Sequence, residues 1–144
     1  QQYTLSDGAF VAAQKNVDIR AKIQRNLGGA VFGDTGGFMV MQTQGQGQLV
    51  VSGFGSLFEI DVEPGKDVII DNGHVVAWDS TLSYNIGMPS SQNRGLVGNL
   101  INSFTSGEGM VLKFRGNGKV IICSRNRKSY VTWLASALNL NRNN

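Results

Sequence analysis

The stretch Asp7-Gly8-Ala9-Phe10-Val11-Ala12-Ala13, followed by Val17 and Ile19, decides how this chain reads. It matches Asn72-Gly73-His74-Val75-Val76-Ala77-Trp78, followed by Leu82 and Tyr84, at the constant offset that carries Gly8 to Gly73. A second match lies downstream. Met39-Val40-Met41 with Gly45-Gln46-Gly47-Gln48-Leu49-Val50-Val51 parallels Met110-Val111-Leu112 with Gly116-Asn117-Gly118-Lys119-Val120-Ile121-Ile122, at the offset that carries Gly45 to Gly116. The two offsets, 65 and 71, differ by a short insertion in the second copy. Self-similarity of this kind marks a repeated supersecondary unit whose copies stack. The expected organisation is one β domain over 1–144, with one copy over about 1–65 and the other over about 66–128.

Working outward, a period of two dominates. Val17, Ile19, Ala21 and Ile23 alternate with Asp18, Arg20 and Lys22, and Phe58, Ile60 and Val62 alternate with Leu57, Glu59 and Asp61. Leu82, Tyr84 and Ile86 alternate with Ser83 and Asn85. Side chains of a strand point to opposite faces in turn, so these are half-buried strands. Glu63-Pro64-Gly65-Lys66 sets φ with Pro and frees it with Gly, predicting a type II turn that joins 57–62 to 67–71 as a hairpin. Further strands are expected at 9–13, 38–43, 47–52, 75–78, 110–115 and 119–124. Strands spaced by turns with no helix between them point to an all-β antiparallel β-sandwich or barrel, the sandwich being preferred.

One helix is expected, over 129–140. Tyr130, Trp133, Leu134, Ala137 and Leu138 recur at helical spacing, and Ser129 is the candidate N-cap. It is expected to pack on a sheet, with a partner-binding or membrane-surface helix as the alternative. Residues 87–107, rich in Ser, Asn and Gly, read as the longest irregular segment, with a helical turn around Leu96–Ile101. The counterpart of the 57–71 hairpin would start before Gln1, and no Met opens the chain, so an amino-terminally truncated fragment is expected.

Composition narrows the class. Glycine supplies 19 of 144 residues, nearly twice the usual share of about 7%, in keeping with many tight turns. Only 16% of residues are charged and two are Pro, which excludes a disordered charged tail and a collagen-like chain. Apolar runs are short, as in Phe38-Met39-Val40-Met41, against the ~20 residues of a membrane-spanning helix. The single cysteine, Cys123, closes no internal disulfide, so a cytoplasmic setting is expected. The net charge of +3 conceals two poles. Residues 59–79 hold Glu59, Asp61, Glu63, Asp67, Asp71 and Asp79 against Lys66, a sum of −5. From residue 80 onward Arg94, Lys113, Arg115, Lys119, Arg125, Arg127, Lys128 and Arg142 face only Glu108, a sum of +7. Such poles pair one chain with another or attract a polyanion.

An ordered set of glycine motifs carries a resemblance. Gly36-Gly37-Phe38-Met39, Gly45-Gln46-Gly47, Gly53-Phe54-Gly55-Ser56-Leu57, Pro64-Gly65, Asp71-Asn72-Gly73-His74-Val75-Val76-Ala77-Trp78 and Ser106-Gly107-Glu108-Gly109-Met110-Val111-Leu112 follow one another over residues 5–135. In that order they resemble the altered-inheritance-of-mitochondria family. The resemblance implies a fold like that of the tryptophan RNA-binding attenuation protein, an additional amino-terminal repeat and, for fungal members, a mitochondrial setting. It implies no catalytic residues. The family's last strand tends to read Gln-Thr-Arg-Asn where this chain has Cys123-Ser124-Arg125-Asn126.

The residues present do not compose a catalytic set. A metal site of the cupin kind needs two or three His with carboxylates, and His74 is the only one. Asp71, His74 and Asp79 are the candidates for a weak site, with a hydrogen-bonded turn His as the simpler reading. Gly53-Phe54-Gly55-Ser56 precedes a strand and so is no nucleophile elbow. Gly45-x-Gly47 and Gly116-x-Gly118 open no helix and lack the Lys-Ser/Thr of a nucleotide site, which leaves strand-to-strand turns. No cofactor, no metal and no enzymatic activity are expected, an uncharacterised enzyme being one alternative. Another is polyanion or RNA binding through Lys113, Arg115, Lys119, Arg125, Arg127 and Lys128. Phe114, Tyr130 and Trp133 read as core, which speaks against base stacking. The preferred expectation is a non-catalytic assembly or scaffold protein whose partners are proteins, copies of itself included.

Overall fold

The computed structural model describes residues 1–24, 38–87 and 110–138. In chain order the strands are β1 (Tyr3–Ser6), β2 (Phe10–Ala13), β3 (Val17–Gln24), β4 (Phe38–Gly45), β5 (Leu49–Val51) and β6 (Leu57–Val62). They continue as β7 (Val68–Asp71), β8 (Val75–Asp79), β9 (Ser83–Gly87), β10 (Val111–Arg115) and β11 (Gly118–Cys123). A 3-10 turn at Asn72–His74 leads into β8, and the helix α1 (Arg127–Ala137) follows β11. All pairing among these strands is antiparallel. The large sheet has the order β3-β4-β1-β8-β11-β6, a three-stranded sheet the order β7-β10-β9, and a two-stranded sheet joins β2 to β5. The 3.3 Å rise of alternating residues thus built what the period of two requires. The segment 88–109, with its expected turn at 96–101, and the motif at Gly36-Gly37 lie outside the described residues.

The turn at Glu63–Lys66 is present: Lys66 N donates to Glu63 O at 3.1 Å and Gly65 has φ 81°. The hairpin is not. β6 pairs with β11 in the large sheet, and β7 pairs with β10 in the small one. The reason is burial: Val62 and Ile70 both enter one core, so the chain turns a corner between two sheets instead of folding flat on itself. The turn at Gly116, with φ 128°, does the same between β10 and β11.

Two cores flank β8, whose residues are all buried. Val40, Val62, Ile70, Val75, Trp78, Leu82, Leu112, Phe114 and Val120 form one, drawn from the large and three-stranded sheets. Leu5, Ala9, Val76, Ala77 and Cys123 form the other, with Leu49 and Val51 of β5 packed against it. Trp78 is fully buried, its ring edge-on to Tyr84 at 5.0 Å and to Phe114 at 5.5 Å. Aromatic pairs of this geometry add about 0.5–1.5 kcal/mol each beyond the burial of their area.

The pairs of β2 with β5 are Phe10↔Val51, Ala12↔Val50 and Ala13↔Leu49, and those of β8 with β11 are Val75↔Ile122, Ala77↔Ile121 and Trp78↔Val120. Each pair of the second set stands 65 and 71 residues beyond one of the first. The same holds for β3–β4 against β9–β10, where Ile19↔Thr43 corresponds to Tyr84↔Phe114. It holds again for β1–β4 against β7–β10, where Leu5↔Met41 corresponds to Ile70↔Leu112. Side chains follow suit: Gln48 N donates to Gln14 Oε1 at 2.9 Å, and Lys119 N to Asp79 Oδ2 at 2.7 Å.

The helix departs from expectation. It runs Arg127–Ala137, and its N-cap is Asn126, whose Oδ1 accepts from Ser129 N at 3.1 Å. Ser129 is therefore the capped donor and not the cap. No helix residue is buried; Tyr130, Val131, Trp133 and Leu138 stand exposed. The apolar stripe is real, but among the described residues no sheet covers it. Edge strand β6 behaves alike, with Phe58 54% exposed although the alternation placed it on the inner face.

Candidate interaction surfaces

The two charge poles meet inside the chain. Arg115 Nε donates to Asp67 Oδ1 at 2.7 Å and Nη2 to Oδ2 at 2.9 Å, while Lys113 Nζ approaches Oδ2 at 2.7 Å. The cause is the β7–β10 register, which sets Phe114 opposite Val68 and so brings the flanking residues together. The two cations hold the Asp67 carboxyl far below the usual carboxylate range, Arg115 more strongly. Lys119 Nζ reaches Glu59 Oε2 at 2.6 Å across β11–β6, and this bond, with the nearby Asp61, raises the ammonium's pKa. Three of the six basic candidates are thus engaged by carboxylates of the acidic segment.

Arg125, Arg127 and Lys128 are placed differently. They are exposed at the junction of β11 with α1, and among the described residues no carboxylate pairs with them. Beside them runs a ladder of rings: Phe54 to Tyr130 at 5.2 Å, then Tyr130 to Trp133 at 6.0 Å. Trp133 is 63% exposed. Phe114 is core as expected, whereas Tyr130 and Trp133 are surface residues of a helix with no buried residue. The sequence signal for this surface was the stripe itself together with Phe54, whose glycine flanks hid it.

The polar candidates do not converge. Asp71 Oδ1 accepts from Gly73 N at 2.7 Å and from Asn126 Nδ2 at 3.4 Å, and His74 Nδ1 contacts Cys123 O at 2.8 Å. Asp79 sits at the other end of β8, about 16 Å along the strand, where Gln1 Nε2 and Lys119 N donate to it. Burial pushes the Tyr3 phenol up, helped by Asp79 and Glu59. Among the described residues no group of three or more His, Cys, Asp and Glu is placed to hold a metal ion. Nor is any helix there long and apolar enough to cross a membrane.

These antiparallel sheets, followed by one helix, define a β-rich domain. The family model for mitochondrial biogenesis AIM24 matches residues 1–125, and the chain belongs to that family. It is 38% identical over 130 residues to the uncharacterised protein M6_Spy0233 of Streptococcus pyogenes serotype M6, covering 90% of this chain and 48% of that one. The crystal structure of protein SPYM3_0169 from Streptococcus pyogenes is similar, with a TM-score of 0.73 and 34% identity over 94% of this chain and 55% of its own. The chain therefore spans about half the length of either relative.

Proposed function

We propose that this domain is a non-catalytic assembly module, built of two copies of one β unit, that binds other polypeptides, copies of itself included. The observation that carries this reading is the distribution of exposed apolar side chains. Leu57 and Phe58 lie on edge strand β6, Ile23 on edge strand β3, and Tyr130, Val131, Trp133 and Leu138 on α1. Open strand edges offer unpaired backbone donors and acceptors, and large apolar side chains exposed on an edge strand or on a helix favour contact with another chain. The internal pairing of the charge poles supports contact through apolar surface over contact through opposite charge. A cytoplasmic setting belongs to this proposal, supported by the single, buried and unpaired Cys123.

Sedimentation velocity over a wide concentration range tests the self-association part. A mass that rises with concentration, and falls back in Trp133→Ser, is expected; a monomer at high concentration and low salt overturns it. A second reading, polyanion binding, is favoured by Arg125, Arg127 and Lys128, which are exposed and, among the described residues, unpaired with any carboxylate, beside the exposed rings of Tyr130 and Trp133. Titration with single-stranded RNA at rising salt separates the two, because phosphate contacts weaken linearly in log salt.

A further inference from the structure

We draw no further inference here: the strongest candidate, the exposed surface patch of α1 formed by Tyr130, Val131, Trp133 and Leu138 beside Arg125, Arg127 and Lys128, belongs to the surface already described, and nothing in the structure shows what covers it.

Discussion

Arg115 grips Asp67 through two nitrogens, at 2.7 and 2.9 Å, with Lys113 at 2.7 Å on the same carboxylate. The bidentate fork is the strong form of this contact, and the second cation adds to it. It ties the end of β10 to the start of β7 at the edge of the three-stranded sheet, joining the acidic segment to the basic one. The sign of its pH dependence follows. The Asp67 carboxyl titrates well below its unfolded range, so its contribution to stability is full above that range, near pH 4, shrinks below it, and is gone only once pH has fallen through the lowered value of the folded state. Asp67→Asn is expected to lower Tm at pH 7, and by progressively less as pH falls below about 4. Thermal unfolding across pH measures this, and 1 M salt is expected to narrow the gap, since the group is exposed to solvent.

The equivalent glycines Gly8 and Gly73 are there for different reasons, which substitution separates. Gly8 has φ 75° with open space around it, so its demand is conformational. Gly8→Ala is expected to cost about 1–2 kcal/mol, and Gly8→Asn to recover most of that. Gly73 needs no left-handed backbone; a Cβ there would strike the Asn126 side chain. Gly73→Ala and Gly73→Asn are both expected to disturb the cap of α1. Asn126→Ala should itself cost about 1 kcal/mol. Urea unfolding gives the energies and far-ultraviolet circular dichroism the helix.

Phe114 is the core residue whose loss should be felt most, because it completes the edge-on cluster with Trp78 and is itself fully buried. Phe114→Ala is expected to destabilise by about 3–5 kcal/mol, a large part of what a domain of this size holds. The equivalent position in β4, Thr43, holds a small polar side chain that donates to Tyr3 O at 3.1 Å. Thr43→Ala should therefore cost only about 1 kcal/mol. Comparing the two variants in urea checks the difference between equivalent sites.

Alternation and turn signals together located ten of the strands to within about two residues, because side-chain direction and turn geometry are local properties of the backbone. It missed Tyr3–Ser6, where the polar Thr4 and Ser6 are buried along with Leu5 and so mark no solvent face. It also misjudged Phe58 and α1 for one shared reason: a pattern says which face is apolar and not what lies against it. Among the described residues β6 pairs on one side only, with β11. The two charge sums of −5 and +7 were legible too, yet a sum carries no register. Only the antiparallel pairing of β7 with β10 brings Asp67 beside Arg115, while among the described residues no carboxylate pairs with Arg125, Arg127 or Lys128.

The surface at α1 can be followed by fluorescence, because the chain holds two Trp residues in opposite settings. Trp78 is fully buried and Trp133 is 63% exposed. Acrylamide should quench Trp133 and spare Trp78, and Trp133→Phe should leave a blue-shifted emission that acrylamide hardly reaches. If the ladder of Phe54, Tyr130 and Trp133 is where polypeptides meet, quenching of the unaltered protein should fall as its concentration rises. Tyr130→Ser, which removes the middle ring, should cancel that fall without lowering stability by more than about 1 kcal/mol, since the residue is exposed. Quenching that stays constant while the sedimenting mass rises would instead assign self-association to the sheet edges, where Leu57 and Phe58 await a neighbour.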